Sequence, residues 1–139
     1  MYRNSEGYAD PTAGAAMSLI MKEYRQKQKK RYADKNRRKI YVASRYAGDV
    51  ESNVAAAIGY CRRVIDEGHM PIASHLLYCQ ILNDNNPEER ELGLMFGLAL
   101  LRLCDEVWVF GAVSPGVAQE IEEAKRLNKR LRYFEEVGV

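Results

Sequence analysis

Cys104 to Glu123, CDEVWVFGAVSPGVAQEIEE, is the stretch on which the fold turns. Val107-Trp108-Val109-Phe110 is a short run of β-branched and aromatic residues between Asp105-Glu106 and Gly111, the pattern of a buried strand. Ser114-Pro115-Gly116 then turns the chain into a helix. In that helix Val117, Ile121 and Ala124 recur at i, i+4 and i+7, so one stripe packs on the sheet while Glu120 stays near the helix start. A hydroxyl, free backbone N–H groups and a carboxylate thus gather at the carboxyl end of a strand, where open α/β sheets bind ligands.

The same alternation extends on both sides. Lys39 to Ser44 has the β propensity of a first strand, through Ile40, Tyr41 and Val42. Asp49 or Ser52 is suited to cap the next helix, Val54, Ile58, Cys61 and Ile65 read as its buried stripe, and Gly68 stops it. Met70 to Ala73 is a short second strand. Ser74 to Asn86 reads as a long functional connection over the pocket, with a helical turn at Leu76 to Leu82. Pro87 fits the first turn of a helix, Glu88 and Glu89 suit its dipole, and Leu92, Met95, Phe96, Ala99 and Leu103 read as its buried face. Asp105 to Phe110 is the third strand, Pro115 to Asn128 the following helix and Arg130 to Phe134 the last strand. Four short strands alternating with helices predict an α/β, Rossmann-like fold: a small doubly wound parallel sheet of order about 2-1-3-4, flanked by helices with right-handed crossovers. In that order strands one and three are neighbours, and the loops Ser44 to Asp49 and Gly111 to Glu120 meet at the switch point.

With 139 residues the chain has room for one such domain and not two. Residues 39–139 are expected to form it, and residues 1–38 a flexible or helical basic N-terminal extension. Met1 to Thr12 offers no period and reads as a flexible terminus, whereas good helix formers begin at Ala13 and predict a helix over part of Ala13 to Asn36. Residues 1–39 carry 11 Lys and Arg against 4 Asp and Glu, and residues 40–139 carry 10 against 15, so the net charge of +2 hides a basic leader on an acidic domain. Nucleic-acid binding through the leader is the sharper reading of that run, but its aromatic interleaving stops at Tyr24 and Tyr32, so a solvated helix is favoured. No stretch approaches 18 uncharged apolar residues, and no basic n-region precedes an apolar h-region, so no membrane association and a cytoplasmic location are expected. Cys61, Cys79 and Cys104 lack C-x-x-C spacing and read as small hydrophobes in a reducing compartment. No His/Cys/Asp cluster has ligand spacing, so neither a metal nor a redox cofactor is expected.

Ser114-Pro115-Gly116-Val117-Ala118-Gln119-Glu120 resembles the S-x-G-x-x-x-E segment of the nucleoside 2-deoxyribosyltransferase-like superfamily, which includes deoxynucleoside monophosphate N-glycosidases and many uncharacterised phage and bacterial domains. Ile40 to Asp49, IYVASRYAGD, is similar to the first strand and loop of that superfamily. The resemblance spans about residues 39–134. It implies Glu120 as nucleophile at the sugar C1′, Tyr41 as the phenol supporting it, and Ser44, Arg45, Tyr46, Gly48, Ser114 and Gly116 as sugar and phosphate contacts, with His75 and Asn53 as further candidates. Taken alone, each residue has a plainer reading. Glu120 is a helix-start carboxylate favoured by the dipole, Tyr41 a core aromatic, Arg45 a surface ion-pair residue, His75 a loop histidine bonded to backbone, and Asn53 a helix cap.

The resemblance also implies an Asp on the helix before the third strand, about eight residues ahead of the strand's own Asp. Counting back from Asp105 reaches Gly97, between the apolar Phe96 and Leu98. Glu91, Glu89 and Asp84 are the acidic residues that remain to replace it. The expected function is N-glycosidic cleavage or transfer on a nucleotide or nucleoside-like small molecule, by a homodimer or larger homo-oligomer. The alternative, motivated by Gly97, is a non-catalytic binder that sequesters a nucleotide-derived, ADP-ribose-like molecule.

Overall fold

The structure, a computed structural model, describes residues 11–135. The expected flexible terminus over Met1 to Thr12 falls outside them for residues 1–10, while Pro11 and Thr12 already belong to a helix. The chain divides into two units, Met1–Arg37 and Arg38–Val139. In the first, α1 (Pro11–Lys35) is a helix of 25 residues, with Leu19, Ile20, Tyr24 and Tyr32 exposed along it. Asp34 pairs with Lys30 and Arg37, and the two cations hold its carboxyl below the usual range. No helix among the described residues is long and apolar enough to cross a membrane.

The second unit runs β1 (Lys39–Ala43), α2 (Val50–Asp66), β2 (Met70–Ile72), α3 (Ser74–Tyr78), α4 (Pro87–Arg102), β3 (Glu106–Phe110), α5 (Pro115–Arg126) and β4 (Arg130–Phe134). The four strands form one parallel sheet in the order β2-β1-β3-β4, with Tyr41 opposite Val107 and Val107 opposite Leu131. This is the doubly wound α/β architecture that the alternation of strands and helices predicts.

Period-2 alternation along the strands splits the core in two. On one face Tyr41, Ala43, Val107 and Val109 pack with Leu101 and Cys104 at the end of α4 and with Val117, Ile121 and Ala124 of α5. On the other, Ile40, Val42, Trp108 and Phe110 meet Tyr60 and Val64 of α2. Tyr60 stacks on Phe110 at 4.4 Å and Phe110 on Phe134 at 4.7 Å, while the Arg132 guanidinium covers Trp108 at 4.5 Å. The helices that follow β1 and β3 therefore lie on opposite faces of the sheet, and a crevice opens between the carboxyl ends of those two strands.

Two buried faces differ from the sequence reading. The core side of α2 is Asn53, Ala57, Tyr60 and Val64, one residue away from the predicted Val54, Ile58, Cys61 and Ile65, of which Ile58 and Ile65 are exposed. Small residues permit close approach to the sheet, and Tyr60 reaches an aromatic partner that Ile58 could not stack on. On α4 the buried residues are Gly97 and Leu101, whereas Leu92, Met95, Phe96 and Leu103 are exposed. The connection after β2 also folds sooner than expected, as the short helix α3 starting at Ser74.

Candidate active site

The first loop of the crevice leaves β1 at Ser44. Asp49 caps α2 by accepting from the Ser52 N–H, and the Asn53 side-chain amide donates to the carbonyls of Tyr46 (2.9 Å) and Ala47 (3.0 Å). Asn53 thus holds the loop from beneath. The second loop leaves β3 at Gly111, whose φ of 74° is open to glycine without strain. It enters α5 at Ser114, whose Oγ accepts from the Val117 N–H, with Pro115 in the first turn.

Between the loops lies a cavity of about 500 Å³. Of the residues singled out in the sequence, Ser44, Tyr46, His75, Ser114, Gly116 and Glu120 line it. Tyr41 stands directly behind, fully buried on β1. Arg45, Gly48 and Asn53 are not part of the wall: Arg45 and Gly48 are exposed, and Asn53 is buried under the loop. Asp84, Glu89 and Glu91, the acidic residues left by the absence of an Asp at position 97, all reach the cavity.

On the floor, Glu120 Oε2 is buried without a hydrogen-bond partner. Burial pushes the carboxyl up to about 8, and the Tyr41 hydroxyl opposes that rise by donating to the carboxylate form. Tyr41 in turn is pushed well above its ordinary value, first by burial and then by the charge of Glu120, so it remains a phenol and a donor. Its other neighbour is Ser74 Oγ at 2.9 Å. An ionised Glu120 can only accept, so a bond to it from the Tyr41 hydroxyl would leave Ser74 to donate to the tyrosine oxygen.

Ser74 was not singled out in the sequence, and neither was the reason for Gly97. A Cβ built on Gly97 would fall 3.0 Å from Ser74 Oγ and 3.1 Å from the Tyr41 hydroxyl. The position that counting from Asp105 reaches is therefore crowded by the Ser74 and Tyr41 side chains, and a Cβ there would need them to give by a few tenths of an ångström. The only local signal was the place of Ser74 after β2, at the carboxyl edge of the sheet. Beside it, His75 Nε2 lies 3.4 Å from Ser44 Oγ, and burial lowers the imidazole's affinity for a proton. Tyr46, 6.1 Å from the His75 ring, is raised by burial and by the neighbouring Cys79 thiol.

The three cysteines are free, and burial pushes the Cys61 and Cys104 thiols up to about 11. Among the described residues no group of His, Cys, Asp and Glu is arranged to hold a metal ion.

A family model described as a domain of unknown function (DUF7768) matches residues 38–134. The chain belongs to this family. No curated protein matches it in sequence. Among solved structures, the DUF7768 chain is similar to a 2-deoxyribosyltransferase from the psychrotolerant bacterium Bacillus psychrosaccharolyticus, characterised as a biocatalyst for nucleoside synthesis. The TM-score is 0.58 at 18% identity, over 73% of this chain and 74% of that one. At that identity the likeness establishes a common fold.

Proposed function

We propose that this DUF7768 protein cleaves or transfers the N-glycosidic bond of a nucleoside or nucleotide, with Glu120 as nucleophile at C1′. The carrying observation is the Glu120 carboxyl: buried, lacking a partner on Oε2, lining the cavity and raised by burial against the opposing effect of the Tyr41 hydroxyl. A carboxylate so placed has its free oxygen ready for an electrophilic carbon, and hydrogen bonds fixed before the reaction stabilise its changing charge. The fold shared with a deoxyribosyltransferase supports the ligand class. Membership of the nucleoside 2-deoxyribosyltransferase-like superfamily, near the N-glycosidase-like proteins of phage and bacteria, is part of this proposal.

In this reading Tyr41 orients Glu120, while Ser44, Tyr46, His75, Ser114 and Gly116 hold the sugar and whatever it carries. Arg45 and Gly48 shape the first loop, and Asn53 anchors it. Residues 39–139 form the working domain and residues 1–38 its extension. The active form is a homodimer or larger homo-oligomer, which the exposed apolar side chains Leu92, Met95 and Phe96 on α4, and Leu103 just after it, support.

Gly97, tightly fitted against Ser74 and Tyr41 and without the carboxyl that the resemblance implies there, favours a second reading, a pocket that binds without turnover. Chromatography of free base after incubation with deoxynucleotides, nucleosides and ADP-ribose derivatives separates the two. Base release that disappears in Glu120→Ala supports the enzyme, and intact ligand recovered from a tight complex supports the binder.

A further inference from the structure

The charge on the cavity wall bears on which glycoside the site takes. Asp84, Glu89 and Glu91 line it against one basic residue, Arg90, with Glu120 as a fourth carboxyl on the floor. Asp84 and Glu91 are exposed, which places them where the cavity opens, while Glu120 Oε2 is buried and unpartnered at the inner end. Arg45, the cation expected to receive a phosphate, is not on the wall. Such a wall favours a positively charged ligand over an anionic one.

Proton supply to the departing base gives an independent argument. A neutral base leaves well only if a group protonates it as the bond breaks. Gly97 offers no side chain beside Tyr41 and Ser74, which leaves the wall carboxyls Asp84, Glu89 and Glu91, of which Asp84 and Glu91 are exposed to solvent. His75 is buried with a lowered proton affinity, and its Nε2 faces Ser44 Oγ. The Tyr41 phenol is buried 2.9 Å from Ser74 Oγ and held well above its ordinary value, so it gives up a proton poorly.

We infer that the preferred substrate is an N-glycoside whose base is already cationic, such as an N-alkylated purinium or a pyridinium. The inference rests on the N-glycosidic reading of Glu120. In the step it requires, a Glu120 oxygen bonds to C1′ as the C1′–N bond breaks. The electron pair of that bond stays on the ring nitrogen, so the base leaves neutral without a proton and the carboxylate charge is consumed in the glycosyl ester. Water then cleaves the ester, giving the free sugar, the carboxylate and one proton. A cation bound above Glu120 also favours its ionised form, the form that attacks.

N7-methylguanosine and guanosine differ by one methyl group and one positive charge, and both are suitable probes. Calorimetry on the full chain carrying Glu120→Gln measures binding without turnover. Base release by the unsubstituted chain is measured against the spontaneous rate of each compound. The expected result is binding of the methylated nucleoside tighter by about tenfold or more, with that advantage reduced several-fold by Asp84→Asn or Glu91→Gln. Both substitutions are at exposed positions. Equal or tighter binding of guanosine, or a preference indifferent to both substitutions, overturns the inference. If guanosine is nevertheless cleaved through Glu120, the proposed function survives it. Release of base from neither compound sinks both.

Discussion

Two glutamates at opposite ends of the sheet have opposite surroundings. Glu106, at the start of β3, is 5% exposed and has Trp108 Nε1 at 3.3 Å, Arg38 at 3.2 Å and Arg130 at 3.8 Å. Such a carboxylate is held in place by charge and hydrogen bonds. Glu120 has burial without that compensation, and its carboxyl rises from 4.5 to about 8. Between these two values the unfolded chain has an ionised Glu120 and the folded one a protonated one, so stability that is fully present below about 4.5 is lost progressively as pH rises to about 8, by about 5 kcal/mol in full, and is level above that. Glu120→Gln removes that loss. Thermal unfolding is expected to show this variant gaining on the unsubstituted protein between pH 5 and pH 8 and holding that gain above it, while its turnover falls by about 10³-fold or more. Since the attacking form is the ionised one, kcat/KM is expected to climb with pH to a plateau, with its midpoint near 8 in the unsubstituted protein. Ser74→Ala should move that midpoint upward, because a tyrosine without its own donor gives a weaker hydrogen bond to Glu120, and Ser74→Thr should restore it. Gly97→Ala is expected to force apart the Ser74–Tyr41 pair and cost about 1–3 kcal/mol in urea unfolding, with turnover falling as well.

At the scale of elements, strands, turns and α5 were legible in the sequence, and the packed faces of two helices were not. β4 spans Arg130–Phe134 as predicted, and Val117, Ile121 and Ala124 of α5 are all buried. A short apolar run bounded by Gly and acidic residues leaves few alternatives, and a single apolar stripe on a polar helix leaves one. On α2 two stripes one residue apart compete. The one the sheet takes contains Asn53 and Ala57, which hydropathy ranks below Val54 and Ile58. Asn53 is buried there because its amide satisfies two loop carbonyls, a tertiary reason that periodicity does not carry. The cavity loops were legible by topology, since β1 and β3 are adjacent with helices on opposite faces. The wall was less so, because whether Arg45 turns inward depends on the loop's path. Asn53→Ala strips two hydrogen bonds from that loop. It is expected to lower stability by about 1–3 kcal/mol in denaturant titration, and to raise KM more than it lowers kcat.

For the whole molecule, the core of the second unit is built from residues 40–124, with Phe134 and Leu131 packed on its edges. A chain of residues 38–139 is therefore expected to fold cooperatively by circular dichroism and to retain base release. Loss of either would make α1 part of the working domain. Light scattering of the full chain is expected to give at least a dimer, and Met95→Glu on the exposed side of α4 to shift it toward monomer. The central claim, that Glu120 bonds to the anomeric carbon, is tested most directly by peptide mapping after acid quench of a reaction with a 2-deoxy-2-fluoro nucleoside, which slows hydrolysis of a glycosyl ester. The account predicts one added fluoroglycosyl group on the peptide containing Glu120, and none in Glu120→Gln. Base release at full rate with the sugar on another residue, or undiminished in Glu120→Gln, would contradict it.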